Sequence, residues 1–146
     1  MKTVEQVLAS KQAGVATIGP DGTVLEALQL MAERGVGALV VAEDATVRGL
    51  ISERDYAGKV ALEGRSSKQT PVREIMTAKV ICVAPDQSMD GCMALMTEKR
   101  IRHLPVVVDR QLVGIISIGD VVKAVIEEQQ FTIEQLTHYI QGEGAH

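Results

Sequence analysis

Two short motifs in this sequence place a hydroxyl and a carboxylate at the same spacing. The first is Gly-Leu-Ile-Ser-Glu-Arg-Asp at residues 49–55, and the second is Gly-Ile-Ile-Ser-Ile-Gly-Asp at residues 114–120. In each, an apolar β-rich run ends at the Ser, and the Asp falls in the first turn of a predicted helix, where unpaired backbone N–H groups and the helix dipole favour an anion. The Ser hydroxyl can donate to a phosphate oxygen. The carboxylate of Asp55 or Asp120 can accept hydrogen bonds from the vicinal hydroxyls of a ribose.

The same two side chains also have a purely structural interpretation. A Ser followed three residues later by an acidic residue is a helix N-cap, and an Asp in the first turn is favoured by the helix dipole. The recurrence of the motif at a matching place favours the ligand-binding interpretation, although duplication of a segment copies its caps as well. Both interpretations remain open from the residues alone.

The elements that must position these motifs are repeated in the sequence. Residues 20–60 align without a gap on residues 85–125, at an offset of 65, and 13 of the 41 pairs are identical, where roughly 3 would match by chance. Upstream, Val4-x-x-Val7-Leu8 resembles Val72-x-x-Ile75-Met76 at a slightly different offset. This spacing is typical of two tandem copies of one supersecondary unit.

Each copy predicts the same order of elements: short strand, helix, strand, strand, helix. A helix with a 3.6-residue apolar period follows Asp21-Gly22-Thr23 in the first copy and Pro85-Asp86-Gln87-Ser88 in the second. Two β-rich runs then follow, separated by a turn so brief that each pair should form a hairpin.

The predicted fold class is therefore α+β (α/β), with two βαββα repeats packed with pseudo-two-fold symmetry into one module. Each unit of about 60 residues is too small to bury its sheet alone, so we expect the two sheets to pack face to face, with two clefts between the copies. The predicted boundaries are residues 1–65, residues 66–130 and a C-terminal helical tail at 131–146. The apolar positions of that tail, Phe131, Ile133, Leu136 and Ile140, indicate packing on a neighbouring element or on a second subunit.

Composition excludes some classes of function. The formal net charge is −4 and aromatic residues make up 2% of the chain, which argues against nucleic acid as a partner, because such proteins carry a basic stripe and exposed rings for stacking. No apolar run reaches the length of a transmembrane helix, and residues 1–10 lack the apolar stretch of a secretory signal. The sequence therefore predicts no membrane partner and a cytoplasmic location.

The combination of these motifs resembles the tandem cystathionine β-synthase (CBS) domain pair, especially the small stand-alone pairs of bacteria and plant organelles. The resemblance covers about residues 3–128 and rests on the paired repeats and on five short segments besides the linker: Ala38-Leu39-Val40-Val41, His103-Leu104-Pro105-Val106, the two Ser-x-x-Asp turns and Glu74-Ile75-Met76-Thr77. It implies binding of adenosine-containing ligands: AMP or a related nucleotide such as ADP or ATP, S-adenosylmethionine, and NAD(H) in one of the two sites. It also implies a disk-like homodimer.

The resemblance also implies roles for residues around one cleft, in which Asp120 binds ribose hydroxyls and Ser117 binds a phosphate. Arg102 and His103 would lie near the phosphates in this cleft. The other residues expected to contact the ligand are Lys11, Gly14, Val15, Ala16, Thr17, Val36 and Ile115.

In the second cleft Asp55 and Ser52 would take the same roles. Copy one offers Gly37 and Ala38 where copy two has the basic pair, so this cleft is expected to lack that pair. Arg54 and the linker residues 65–68 are expected to replace it. The expected contacts are Leu50, Arg54, Arg65, Ser66, Ser67, Lys68, Lys79, Val80, Ile81 and Ile101. The two sites should therefore differ in the ligands that they accept.

The predicted function is a regulatory, signal-transducing sensor of adenosine-containing ligands that acts on an unidentified effector protein. The alternative is a scaffold or interaction protein whose clefts are vestigial. An enzyme is not expected, because only His103 among candidate bases falls in a cleft, and the sequence has no Walker A loop and no Cys/His metal spacing. No metal is expected.

Overall fold

The structure is a computed structural model that describes residues 2–11 and 14–144. Its helices and strands follow the predicted repeat. In chain order the elements are α1 (Val4–Ser10), β1 (Thr17–Ile18), α2 (Val24–Arg34), β2 (Ala38–Glu43), β3 (Thr46–Ser52), α3 (Glu53–Tyr56), a π-helical turn (Ala57–Ala61), a 3₁₀ turn (Val72–Glu74), α4 (Met89–Lys99), β4 (His103–Val108), β5 (Gln111–Ser117) and α5 (Ile118–Gly144).

Each repeat contains the hairpin that its sequence predicts. β2 pairs antiparallel with β3, β4 pairs antiparallel with β5, and β1 adds a parallel strand beside β2. In the second repeat the segment equivalent to β1 is reduced to a single parallel bridge between Val83 and Val106. The two hairpins meet where β3 contacts β5. The predicted α/β architecture of two repeats is confirmed.

The helices begin at side-chain caps. The Thr23 hydroxyl accepts from the Glu26 N–H at the start of α2, and the Ser88 hydroxyl accepts from the Gly91 N–H at the start of α4. Such a bond satisfies one of the four N–H groups that a helix start leaves unpaired. Polar residues just before each apolar period therefore fix where both helices begin.

Each hydrophobic core is completed by the segment that precedes the other repeat. Val4 and Val7 of α1 are buried in the core of the second repeat, whereas Val72 and Ile75 are buried in that of the first. This arrangement explains the matching Val-x-x-hydrophobic patterns upstream of the two copies. The sequence copies and the packed halves of the molecule therefore have different boundaries.

The C-terminal segment does not form a separate element. α5 runs without interruption from Ile118 to Gly144, so the predicted tail at 131–146 continues the last helix of the second repeat, with residues 145–146 outside the described part of the chain. The side chains of residues 131–141 are all exposed. Half of this helix thus extends past the body of the molecule.

Candidate cleft between the two repeats

The two Ser-x-x-Asp turns are closed helix caps with matching geometry. Asp55 Oδ2 accepts from the Ser52 N–H at 2.9 Å and from the Ser52 hydroxyl at 3.0 Å, and the same bonds from Ser117 to Asp120 measure 2.8 and 3.0 Å. Each Ser hydroxyl in turn accepts from the N–H of its Asp at 3.2 Å. The capping interpretation is correct at both turns. A ligand would therefore meet the side of each carboxylate that faces away from the cap.

The backbone at these helix starts is already partly satisfied. The Glu53 N–H donates to the Gly37 carbonyl at 3.0 Å, and the Ile118 N–H donates to the Arg102 carbonyl at 2.9 Å. With the capping bonds, two of the first three N–H groups of each helix have partners inside the protein. A phosphate bound here would therefore depend on side-chain cations more than on the helix N-terminus.

A lysine pairs with each carboxylate, and the two lysines come from different places. Lys11, just after α1, lies 2.8 Å from Asp120 Oδ2 and donates to the Ile115 carbonyl at 2.9 Å. Lys59, in the π-helical turn of the first repeat, lies 3.1 Å from Asp55 Oδ1 and donates to the Ile75 carbonyl at 2.9 Å. At both turns an ammonium group holds the carboxylate that is expected to bind ribose.

The environment of Asp120 favours its charged form. Partial burial on its own would raise the pKa of this carboxyl, but the hydrogen bond from Lys11, the Ser117 N–H, the charge of Lys11 and the Ser117 hydroxyl together hold the pKa below its usual range. The carboxylate is therefore ionised and ready to accept hydrogen bonds at neutral pH.

A cleft of about 800 Å³ opens at the Asp55 turn and is lined by both repeats. The first repeat contributes the end of its hairpin and the start of α3, and the second contributes the segment between α4 and β4. The lining residues are Gly37, Ala38, Leu50, Ser52, Glu53, Arg54, Asp55, Thr77, Arg100, Ile101, Arg102 and His103.

The prediction that the Asp55 cleft lacks the basic pair is wrong, because Arg102 and His103 line it. β4 begins at His103, directly opposite Ser117, so these side chains lie between the two turns. Burial lowers the pKa of His103, while the charge of Asp120 raises it and those of Arg102 and Lys11 lower it, with a net result below the ordinary value. His103 therefore lines the Asp55 cleft and also feels the charge of Asp120.

Two of the linker residues, Arg65 and Ser67, have other partners. Arg65 forms an ion pair with Glu74 at 2.6 Å, and the Ser67 carbonyl accepts from the Leu25 N–H at 2.9 Å. In the described part of the chain, several residues expected in the Asp55 cleft do not line it: Arg65, Ser66, Ser67, Lys68, Lys79, Val80 and Ile81. The loop at 65–68 instead braces the start of α2, so it does not replace the basic pair.

The residues expected around Asp120 are only partly brought together. Lys11, Ile115, Ser117 and Asp120 are joined by the hydrogen bonds above. Thr17 instead pairs with Val40 in the sheet. Ala16 packs against the core of the first repeat and Val36 is exposed, and among the described residues no hydrogen bond joins Gly14 or Val15 to the Asp120 turn.

Three lining residues lay outside the sequence-based site, namely Glu53, Thr77 and Arg100. The sequence could have pointed to Arg100, because the alignment of the copies places this arginine opposite a glycine, Gly35. Both residues end a helix in the left-handed conformation, with φ of 65° at Gly35 and 55° at Arg100. An L side chain in this conformation is strained, and such strain often marks a functional position.

The described residues show neither a metal cluster nor a membrane span. No group of three or more His, Cys, Asp or Glu side chains comes together as metal ligands would in residues 2–11 and 14–144. Within the same ranges, no helix is both long and apolar enough to cross a bilayer.

This architecture of two cross-packed repeats with a cleft between them defines a class, the paired-repeat modules, and comparison with known proteins identifies the family. The family model for the CBS domain matches residues 4–61 and 72–127. The chain belongs to the CBS domain family, as a tandem pair.

Individual relatives agree with this assignment. The Arabidopsis thaliana mitochondrial protein CBSX3 is 46% identical over 127 residues, which are 84% of this chain and 62% of the relative. YhcV of Bacillus subtilis is 36% identical, over 82% of this chain and 83% of the relative. This chain thus spans less than two thirds of the length of the plant relative.

Solved structures share the fold. A protein with CBS domains from Burkholderia ambifaria superimposes with a TM-score of 0.81 at 53% identity, covering 90% of this chain and 99% of that one. The CBS domain pair of protein MJ0100, solved with 5′-methylthioadenosine and S-adenosylmethionine, has a TM-score of 0.76 at 22% identity and covers 88% of this chain and 98% of that one.

Proposed function

We propose that this protein is a regulatory module that binds an adenosine-containing ligand between its two CBS repeats and signals to another protein. The observation that carries the proposal is the composition of the cleft of about 800 Å³. One repeat supplies the Asp55 carboxylate, and the other supplies the cations Arg100 and Arg102 and the imidazole of His103. A nucleotide needs these two kinds of group together.

Each part of an adenine nucleotide has a counterpart in this cleft. The Asp55 carboxylate accepts from ribose hydroxyls, as acidic residues do in other nucleotide sites. The guanidinium groups of Arg100 and Arg102 pair with phosphate oxygens. Leu50, Ala38 and Ile101 offer aliphatic walls for the adenine, which suits a chain that has only 2% aromatic residues.

The position of the cleft supplies a mechanism for signalling. A ligand here touches groups from both repeats, so it binds most tightly to the arrangement of repeats that brings those groups together. A ligand shifts an equilibrium between two arrangements only by its difference in affinity for them. Occupancy of the cleft would therefore be transmitted as a change in how the repeats pack, and an effector protein would detect that change.

The proposed ligand is AMP or a related adenine nucleotide, with NAD(H) as a candidate for one of the two sites. The MJ0100 pair, solved with two adenosine derivatives, supports adenosine as the common part of the ligand. The Asp120 turn forms the second proposed site, in which Lys11 must move or share the carboxylate.

The remaining parts of the proposal concern the chain's setting. We propose a homodimer that performs no catalysis and acts in the cytoplasm through an effector protein. In the described cleft the Ser52 hydroxyl and the Asp55 carboxylate are bound to each other in the helix cap, and His103 is the one histidine among the lining residues.

The proposal is tested by thermal unfolding with AMP, ATP, NAD(H), S-adenosylmethionine and, as a ligand control, CMP. At a ligand concentration of 100 times Kd, binding to the native state adds about 2.7 kcal/mol to the free energy of unfolding, so at least one adenosine ligand should raise Tm by several degrees and CMP should not. If no adenosine ligand raises Tm at saturating concentration, the proposal fails and the scaffold alternative stands.

A matched pair of variants tests the proposed contact between Arg102 and the phosphate. Arg102→Gln removes a cation that lines the cleft, whereas Arg110→Gln removes an exposed one in the β4–β5 turn. We expect Arg102→Gln to weaken AMP about tenfold and to leave adenosine binding unchanged, with Arg110→Gln unchanged for both. Equal affinity of AMP for the two variants would contradict the assignment of the phosphate to this end of the cleft.

A further inference from the structure

His103 is a cleft residue whose ring nitrogens are not used by the fold. Its side chain is partly buried and lines the cleft of about 800 Å³ beside Arg102. In the described part of the chain, the imidazole forms no hydrogen bond and no ion pair. A partly buried polar group without a partner calls for an explanation, and a ligand in the cleft is one.

The backbone around His103 fixes where the imidazole lies. β4 begins at His103, which pairs with Ser117 at the end of β5. One residue earlier, the Arg102 carbonyl accepts from the Ile118 N–H at 2.9 Å. The imidazole is therefore presented to the cleft from the end of a paired strand, and groups on strands and helices are placed more precisely than groups on loops.

The groups of the second repeat and of the segment after α1 favour a neutral imidazole. Burial lowers the pKa of His103, and so do the charges of Arg102 and Lys11. The Asp120 charge raises that pKa, but this carboxylate already accepts hydrogen bonds from Lys11 and from the Ser117 N–H and hydroxyl. Because the pKa lies below its ordinary value, His103 is uncharged at neutral pH without a ligand.

The groups across the cleft leave an excess of positive charge. The charged side chains that line it are Glu53, Arg54, Asp55, Arg100 and Arg102. Three of them are guanidinium groups and two are carboxylates, and the Asp55 carboxylate is already paired with Lys59. This excess opposes a further positive charge on the imidazole until a negative ligand arrives.

A phosphate changes this balance. A phosphate monoester carries about two negative charges at neutral pH, and a negative charge close to a histidine favours its protonated form. An imidazolium donates from both ring nitrogens. Its hydrogen bond to a phosphate oxygen is charge-assisted and roughly twice as strong as a neutral one, and adenosine without phosphate cannot form it.

We infer that His103 is a specificity residue of the Asp55 cleft, which takes up a proton when the nucleotide phosphate binds and holds that phosphate as an imidazolium. The inference rests on the proposed function. It makes the preference of the cleft for AMP over adenosine grow as the pH falls. Copy one has Ala38 at the equivalent position, so the second repeat alone supplies this group.

The test counts the protons that bind with the ligand. Calorimetric titration of AMP at about pH 7 in two buffers of different ionisation enthalpy gives this number, and a series between about pH 6.5 and 8 gives the affinity. We expect the wild type to take up at least about 0.3 proton per AMP and to bind AMP about threefold more tightly at the lower pH. Adenosine should bind with neither effect.

Two histidine variants carry the same substitution. His103→Gln keeps a polar side chain that cannot be protonated, so the proton uptake and the pH effect on AMP affinity should be lost. His138→Gln removes an exposed histidine of α5 and should behave as the wild type. The phosphate of AMP itself titrates near about pH 6, and because both variants are given the same AMP, the difference between them isolates His103.

Every remaining outcome contradicts a stated claim. AMP binding without proton uptake, or with equal uptake in His103→Gln, contradicts the role of His103 and leaves the proposed nucleotide site standing. A folded wild type that does not bind AMP contradicts both. If His103→Gln does not fold, the ring protons of His103 in the wild type are titrated by NMR, and a midpoint that AMP does not raise contradicts the inference.

Discussion

The Asp55 and Asp120 turns have the same cap and different lysines. Their capping distances agree within 0.1 Å. Asp55, however, is held by Lys59 from its own repeat, four residues along, whereas Asp120 is held by Lys11 from the segment that follows α1. The local chemistry of the turn was duplicated, and the group that competes with a ligand was not.

This difference has consequences for ligand binding. A ligand that takes Asp55 displaces an ammonium whose side chain is 47% exposed, whereas at Asp120 it displaces one that is 31% exposed and belongs to the segment anchoring α1. Binding at Asp120 thus competes with an ion pair that helps to hold the segment after α1 in place. Binding at Asp55 competes with an ion pair inside one repeat, whose lysine is more exposed. The Asp55 cleft should be the tighter site.

The largest expected difference between the repeats concerns two equivalent glycines. A Cβ at Gly49 would lie 2.7 Å from the Thr77 carbonyl oxygen, which is backbone, whereas one at Gly114 would lie 2.6 Å from the tip of the flexible Leu8 side chain. Gly49→Ala should lower the free energy of unfolding by about 3 kcal/mol and Gly114→Ala by about 1 kcal/mol. Urea unfolding measures both, and equal losses would show that the two repeats receive their cross-packed segments in the same way.

Substitutions of the two lysines should differ less in their effect on the free energy of unfolding. Lys11→Met leaves the ionised Asp120 without its charged partner in a half-buried place and should cost about 1 kcal/mol. Lys59→Met removes an i, i+4 pair whose lysine is the more exposed of the two, 47% against 31%, and should cost about 0.4 kcal/mol. The same unfolding measurement applies. A larger loss for Lys59→Met would reverse the comparison between the turns.

Arg100 and Gly35 provide a test in which stability and binding change in opposite directions. Arg100→Gly relieves the left-handed strain, so we expect it to stabilise the protein by about 0.5–1 kcal/mol while weakening AMP through loss of a cleft cation. Gly35→Ala, at the equivalent position, should destabilise by about 1 kcal/mol and leave AMP binding unchanged. An Arg100→Gly protein that binds AMP normally would show that the arginine has no part in the site.

The smallest expected effect is the pH dependence that arises from His103. Its folded pKa lies below the ordinary value of 6.5, so between the two values the unfolded chain binds a proton that the folded protein excludes. Stability from this group is complete above 6.5 and is lost as the pH falls through that value. His103→Gln should flatten the fall in Tm between about pH 7.5 and 5.5 by a small amount, and an unchanged slope would contradict the assignment.

Much of the fold follows from the sequence because the repeat is explicit. The offset of 65 predicts both hairpins, and the polar residues before each apolar period predict where α2 and α4 begin. The sequence does not predict that Val4 packs in the core of the second repeat and Val72 in that of the first. The apolar positions of a segment show that it packs against a core, but they do not show which core.

The candidate site was predicted less completely. The two Ser-x-x-Asp turns are local motifs and were found directly. Arg102 and His103 were assigned to one cleft by analogy between the copies, yet they lie between the turns, a position that depends on how the repeats meet. Arg100 could have been found, because copy one has Gly35 at the same place.

The central claim is that Asp55 binds the ribose of an adenine nucleotide in the cleft between the repeats. Calorimetric titration of AMP into the wild type, Asp55→Asn, Asp120→Asn and Asp109→Asn measures it most directly; Asp109, in the exposed β4–β5 turn, is the matched control. We expect a loss of affinity of at least about tenfold for Asp55→Asn and a smaller loss for Asp120→Asn, with Asp109→Asn equal to the wild type. An Asp55→Asn protein that binds AMP as tightly as Asp109→Asn would contradict the claim.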